Sequence, residues 1–148
     1  MGRVSAALHL PFPPETVFRV TTRIGDLPRW LPEVVAAEQL DPDLAPGSRV
    51  RLVMGPAAGN AVIVGTVKEL RPPNRLAIGG SAGPLSVDVR TRLEPVGDAA
   101  TRIVLEIVIA APPLLGFIGR EAERRINAEL PASLERLRAL VEAETAPA

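Results

Sequence analysis

The sequence predicts an α+β domain in which about six to seven antiparallel strands precede one long C-terminal helix, with two short helices after the first strand. Three features predict it. Successive segments between Val4 and Ala110 alternate apolar and polar residues, the period of two that marks strands with one solvated face. From about Pro113 to Ala143 the period lengthens to that of an amphipathic helix. The links between segments are short and rich in Pro, Gly, Asp and Asn, which suits tight connections between antiparallel neighbours.

The first strand runs from Val4 to Leu10, with Val4, Ala6, Leu8 and Leu10 set against Ser5, Ala7 and His9. Pro11, Pro13 and Pro14 end it, and Pro14 followed by Glu15 suits the first turn of a helix. That helix reaches about Thr21 and buries Val17, Phe18 and Val20. A second helical turn, Asp26 to Trp30, has Asp26 as a cap and Pro32 as its stop, with Leu27, Trp30 and Leu31 facing inward. Strands follow at Val34–Gln39, Ser48–Met54, Ala61–Leu70, Arg75–Gly80, Leu85–Glu94 and Thr101–Ala110. Gly79 to Pro84 and Pro95 to Asp98 read as the connecting turns. In the final helix Ile118, Ala122, Ile126, Leu130, Leu134, Leu137 and Val141 form one stripe, spanning roughly 45 Å in all. Pro131 lacks an amide donor and predicts a bend there, within a single domain.

The 148 residues form one domain, with residues 144–148 expected as a frayed tail. Seventeen basic residues balance seventeen acidic ones, which leaves no overall positive field to draw in nucleic acid, and four aromatic residues without a Tyr offer little for base stacking. The absence of Cys removes disulfides, thiolate metal sites and cysteine nucleophiles, and a lone His9 provides no imidazole cluster, so neither a metal nor a cofactor is expected. No signal peptide or membrane span is evident, and a cytoplasmic location without stable membrane insertion is the expectation. Gly55, Gly59, Gly79, Gly80 and Gly83 match no nucleotide-binding pattern. Arg49, Arg51, Arg90, Arg92 and Arg102 suggest a basic sheet face, although Asp88, Glu94 and Glu106 share their registers and favour cross-strand pairing.

Two stretches carry a resemblance to a known family. Pro13-Pro14-Glu15-Thr16-Val17-Phe18 through Ile24-Gly25-Asp26-Leu27-Pro28-Arg29-Trp30-Leu31-Pro32 resembles the opening strand-to-helix segment and tryptophan-proline helix of the START-like, polyketide cyclase/dehydrase and lipid-transport superfamily (SRPBCC). Gly65-Thr66-Val67-Lys68-Glu69-Leu70-Arg71-Pro72-Pro73-Asn74-Arg75-Leu76 resembles its strand, proline turn and next strand. The resemblance covers about Val4 to Glu142 and departs at Arg23, where many members carry an acidic residue. It implies the helix-grip fold, a curved sheet wrapped around the long helix, enclosing a cavity whose mouth lies among short helices and loops.

Under that fold the cavity candidates are Leu27 and Trp30, then Val50, Leu52 and Met54, then Leu85, Val87 and Val89, and from the long helix Phe117, Ile118, Glu121, Ala122 and Arg125. Most are apolar and would supply an ordinary core equally well. Glu121 and Arg125, four residues apart, pair along one helical face, either as a surface ion pair or as groups that orient a ligand. His9 and Asn127 complete the acid–base candidates, with His9 on the polar register of its strand. The expected function is binding of a small hydrophobic molecule such as a lipid, polyketide or isoprenoid-like compound. The alternatives are a polyketide cyclase/dehydrase-type enzyme acting on a cavity-bound substrate and a non-catalytic homodimeric interaction domain. The apolar stretch Ala110 to Phe117 is a mouth, a lid or an interface.

Overall fold

The alternation between Val4 and Ala110 folds into seven strands: β1 (Gly2–Leu10), β2 (Val34–Gln39), β3 (Arg49–Met54), β4 (Val62–Arg71), β5 (Arg75–Ala82), β6 (Leu85–Val96) and β7 (Ala100–Ala110). They form one antiparallel sheet in the order β1-β7-β6-β5-β4-β3-β2, in a computed structural model that describes residues 2–31, 33–56 and 60–145. Only β1 leaves the sequential order, pairing with β7 at the far edge through Val4↔Ile107 and Leu8↔Ile103. Between β1 and β2 lie α1 (Pro14–Thr21) and a short 3₁₀ helix (Ile24–Arg29). A 3₁₀ turn at Pro113–Leu115 leads into α2 (Gly116–Thr145), which packs along β1 on the concave face. This is the helix-grip arrangement.

Local chemistry accounts for the short elements. Pro14 opens α1, and the amides of Thr16 and Val17 donate to the carbonyl of Pro13 at 3.1 and 3.2 Å. Thr22 closes it, its amide donating to the carbonyl of Phe18 at 3.0 Å and its hydroxyl at 2.8 Å. The next helix corrects the sequence expectation. It begins at Ile24, and Asp26 is no cap but lies within the first turn, its own amide donating to the carbonyl of Arg23 at 3.0 Å. Pro32, its expected stop, lies outside the described residues.

A second correction concerns where β5 ends: Gly79 and Gly80, which fell in both the expected strand and the expected turn, lie inside β5, which continues to Ala82. The actual turn is Gly83-Pro84, with Gly83 at φ 59°. Likewise Pro95 and Val96 belong to β6, and the turn falls at Gly97, φ 64°. Glycine and proline marked the neighbourhood of each turn, but strand pairing decided which of these residues belong to the turn and which to the strand.

The long helix continues through Pro131 as one element, without the amide hydrogen bond that proline cannot donate. It also continues through Thr145, so Glu144 and Thr145 are no frayed tail: Arg23 donates to Glu144 at 2.9 Å, and the hydroxyl of Thr145 donates to the carbonyl of Val141 at 3.0 Å. Residues 146–148 of the expected tail lie outside the described residues. The chain's departure at Arg23 thus has a structural use, tying the loop after α1 to the end of α2.

The core occupies one half of the concave space. Leu130, Leu134, Leu137 and Val141 from the second half of α2 are fully buried against Val17, Leu27, Trp30, Leu93, Ile103 and Leu105. Burying each such side chain stabilises the fold by about 1.5–3 kcal/mol. Thr101 is also fully buried, and its hydroxyl donates to the carbonyl of Phe12 at 2.8 Å, joining β7 to the segment that follows β1. On the convex face the basic side chains pair with carboxylates: Lys68 with Asp88 at 2.9 Å, Arg90 with Glu106 at 3.3 Å and Arg92 with Glu94 at 3.5 Å. Among the described residues no helix is long and apolar enough to cross a membrane.

Candidate functional site

The first half of α2 meets the sheet at its edge, where Glu123 lies beside Gly2 of β1, but is not sealed against the strands beyond. Its stripe residues Ile118, Ala122 and Ile126 stay partly exposed, whereas the later ones are sealed. Between this half-helix and β2–β7 lies a cavity of about 600 Å³. Its floor follows from the strand registers. One row of facing positions crosses the sheet as Val50, Gly65, Gly80, Val87 and Ile109. The next row contains Val67, Ile78, Val89 and Ile107.

Two glycines at the middle of the first row leave space where side chains would stand. They also let the strands approach: a Cβ on Gly80 would lie 2.8 Å from Cγ2 of Ile63 and 3.1 Å from Cα of Gly65. The register shift between Val67 and Glu69 adds a bulge beside them, which bends a sheet locally.

Ten of the thirteen cavity candidates are brought together here: Leu52, Met54, Leu85, Val87, Val89, Phe117, Ile118, Glu121, Ala122 and Arg125 all line the cavity. Leu27 and Trp30 do not. Both lie in the core, 3% and 1% exposed, where the 3₁₀ helix packs against β2 and Arg136 of α2 donates to the Trp30 carbonyl at 3.3 Å. Val50 is likewise sealed in the core. Sequence reasoning did not place Leu31, Glu33, Val34, Ala61, Ile63, Gly65, Ile78, Gly80, Gly83, Ile107, Ile109 and Ile126 at the site. Ile107 and Ile109 were legible in principle, since they share the apolar register of Val87 and Val89. Glu33 carried no signal.

Phe117 and Ile118 form part of the rim, 61% and 37% exposed, with Leu114 beyond them at 92%. Three ionisable groups line the cavity among the described residues: Glu33, Glu121 and Arg125. Glu121 accepts from Arg124 Nη2 at 2.7 Å and from Arg125 Nε at 3.0 Å. These hydrogen bonds, Arg124's foremost, hold its carboxyl below the usual carboxylate range. Glu121 and Arg125 are therefore an ion pair and a cavity wall at once. His9 and Asn127, the other acid–base candidates, are exposed and lie outside the cavity lining.

Glu33 differs from that pair. Its φ is 61°, a left-handed conformation that costs a non-glycine residue about 1–3 kcal/mol. The Gly55 amide holds its carbonyl at 2.8 Å, and a Cβ on Gly55 would lie 3.2 Å from Oε2 of Glu33. A bare glycine thus makes room for this carboxylate at the end of β3. A second depression, on the convex face between Lys68, Arg75, Arg90 and Arg92, is lined by the ion pairs already described.

The fold recurs among solved structures. The protein TTHA0849 from Thermus thermophilus superposes with a TM-score of 0.78 at 24% identity, over 98% of this chain and 100% of that one. The Zhui aromatase/cyclase from Streptomyces sp. R1128 gives 0.77 at 17% identity, over 98% and 96%. The di-domain ARO/CYC BexL from the BE-7585A biosynthetic pathway gives 0.77 at 20% identity, over 99% of this chain and 48% of that one, so this chain corresponds to about half of it. These identities bear on the fold alone. No curated protein sequence matches the chain. A family profile described as polyketide cyclase / dehydrase and lipid transport matches residues 1–142. With a curved sheet, a gripped helix and an apolar cavity suited to a hydrophobic ligand, the chain belongs to the polyketide cyclase / dehydrase and lipid transport family of the START-like superfamily.

Proposed function

We propose that the protein takes up a lipid, polyketide or isoprenoid-like molecule into the cavity and holds it there in non-covalent form. One observation carries the reading: a cavity of about 600 Å³ in which Glu33, Glu121 and Arg125 are the ionisable lining residues among those described. That volume falls within the roughly 300–1,000 Å³ of small-molecule sites, which combine apolar walls with a few orienting polar groups. Removing apolar ligand surface from water contributes about 25 cal/mol per Å².

Native mass spectrometry of freshly purified protein, paired with a denatured run, tests it. A discrete adduct that denaturation releases is the expected result, and its mass identifies the ligand class. Protein that stays at its apo mass when titrated with neutral C10 to C20 amphiphiles would overturn the reading.

A cyclase/dehydrase-type enzyme is the second reading, favoured by the carboxylates of Glu33 and Glu121 on the lining. Ring closure by aldol addition and dehydration needs a group that takes up a proton and a group that returns it. Conversion of a poly-β-keto thioester by the wild-type protein, lost in Glu33→Gln or Glu121→Gln, would favour the enzyme over the carrier.

A further inference from the structure

We infer that Glu33 is the polar anchor of the cavity, and that the ligand it fits carries a hydroxyl donor on an apolar body. This rests on the cavity reading above and deepens it. Of the lining carboxylates, Glu121 is already engaged by Arg124 at 2.7 Å and by Arg125 at 3.0 Å. Glu33 has neither an ion pair nor a side-chain hydrogen bond among the described residues, yet it stands in the wall with Leu31, Val34 and Met54. The chain holds it at φ 61° and keeps Gly55 bare beside its Oε2. A carboxylate accepts hydrogen bonds and donates none when ionised, so its complement on a ligand is a donor. In a wall otherwise apolar, a charge-assisted hydrogen bond from a hydroxyl to this partly exposed carboxylate is the strongest single polar contact open to a ligand there. The lining as a whole carries two carboxylates to one guanidinium, which disfavours a ligand carboxylate at the same place.

The test compares 1-decanol with decyl methyl ether as competitors of the neutral fluorescent probe N-phenyl-1-naphthylamine. The ether lacks the donor proton and is the more apolar of the two, so a pocket without an acceptor prefers the ether. For the wild-type protein, decanol is expected to displace the probe at roughly tenfold lower concentration than the ether, the size of a hydrogen bond to a charged group. Glu33→Gly suits the left-handed backbone and removes the carboxylate, and it is expected to reverse the order. Glu33→Gln keeps a neutral acceptor and is expected to fall between them. Wild-type protein that binds the ether as well as the alcohol overturns the inference, as does an unchanged preference in both variants. Failure of the probe to enter the wild-type cavity overturns the cavity reading itself and the inference with it.

Discussion

Gly65 and Gly80 stand opposite each other on β4 and β5, and both sit where the strands leave little room for a Cβ. A Cβ on Gly80 would lie 3.1 Å from Cα of Gly65, and one on Gly65 would lie 3.2 Å from both the Gly79 carbonyl and Cγ2 of Ile78. Neither has a positive φ, so close approach alone disfavours a side chain, more severely at Gly80, where the nearest atom, Ile63 Cγ2, would lie 2.8 Å away. Gly80→Ala is therefore expected to destabilise the protein by about 1–3 kcal/mol, because its neighbours are backbone and the stiff β-branched Ile63. Urea unfolding followed by the fluorescence of Trp30, the sole tryptophan, measures it. A variant as stable as wild type would show that the sheet bends without this contact.

The two halves of α2 divide the work between cavity and core. Leu134→Ala, at 1% exposure, is expected to cost about 2–5 kcal/mol in the same unfolding assay. Phe117→Ala, at 61% exposure, is expected to change stability by less than about 0.5 kcal/mol while weakening probe binding, since Phe117 contributes rim surface. Equal stability losses would contradict this division.

Thr101 offers a test of a single buried hydrogen bond. Thr101→Val keeps the shape and deletes the donor, leaving the Phe12 carbonyl unmatched, and a loss of about 1–3 kcal/mol is expected. Thr101→Ser keeps the donor and separates lost packing from lost hydrogen bonding.

Acid is expected to weaken the fold. Hydrogen bonds from Arg49 to Asp41, Arg102 to Glu94, Arg124 to Glu121 and Arg23 to Glu144 each lower the folded carboxyl below its ordinary value. In the unfolded chain these groups bind protons at the ordinary values of 3.8 for Asp and 4.5 for Glu. Their stabilisation is thus complete above that range and drains away as pH falls through the lower folded values. Thermal unfolding by circular dichroism should give a level Tm from pH 7 to about 5, then a decline, shallower at about 1 M salt because these pairs are exposed. A Tm that rises on acidification would reverse the assigned sign.

The period-two runs and the long helical stripe determined the element order and the antiparallel class, because alternation reports which face of a strand is buried. That ten of the thirteen cavity candidates line the cavity has the same origin: they lie on inward registers, and the resemblance supplied the cavity behind them. What the registers do not contain is how far apart two inward faces stand. Trp30 and Ile118 both read as inward, but Trp30 is sealed in the core at 1% exposure, while Ile118 stands at the cavity and stays 37% exposed. Glu33 was silent because its use depends on Gly55, 22 positions later, brought beside it by the pairing of β2 with β3. Likewise Gly79 and Gly80 fitted both a strand end and a turn until pairing with β4 and β6 placed them inside β5. Local sequence sets which way a residue points; the separation between sheet and helix, fixed only when all strands are paired, decides whether it meets a neighbour or a space.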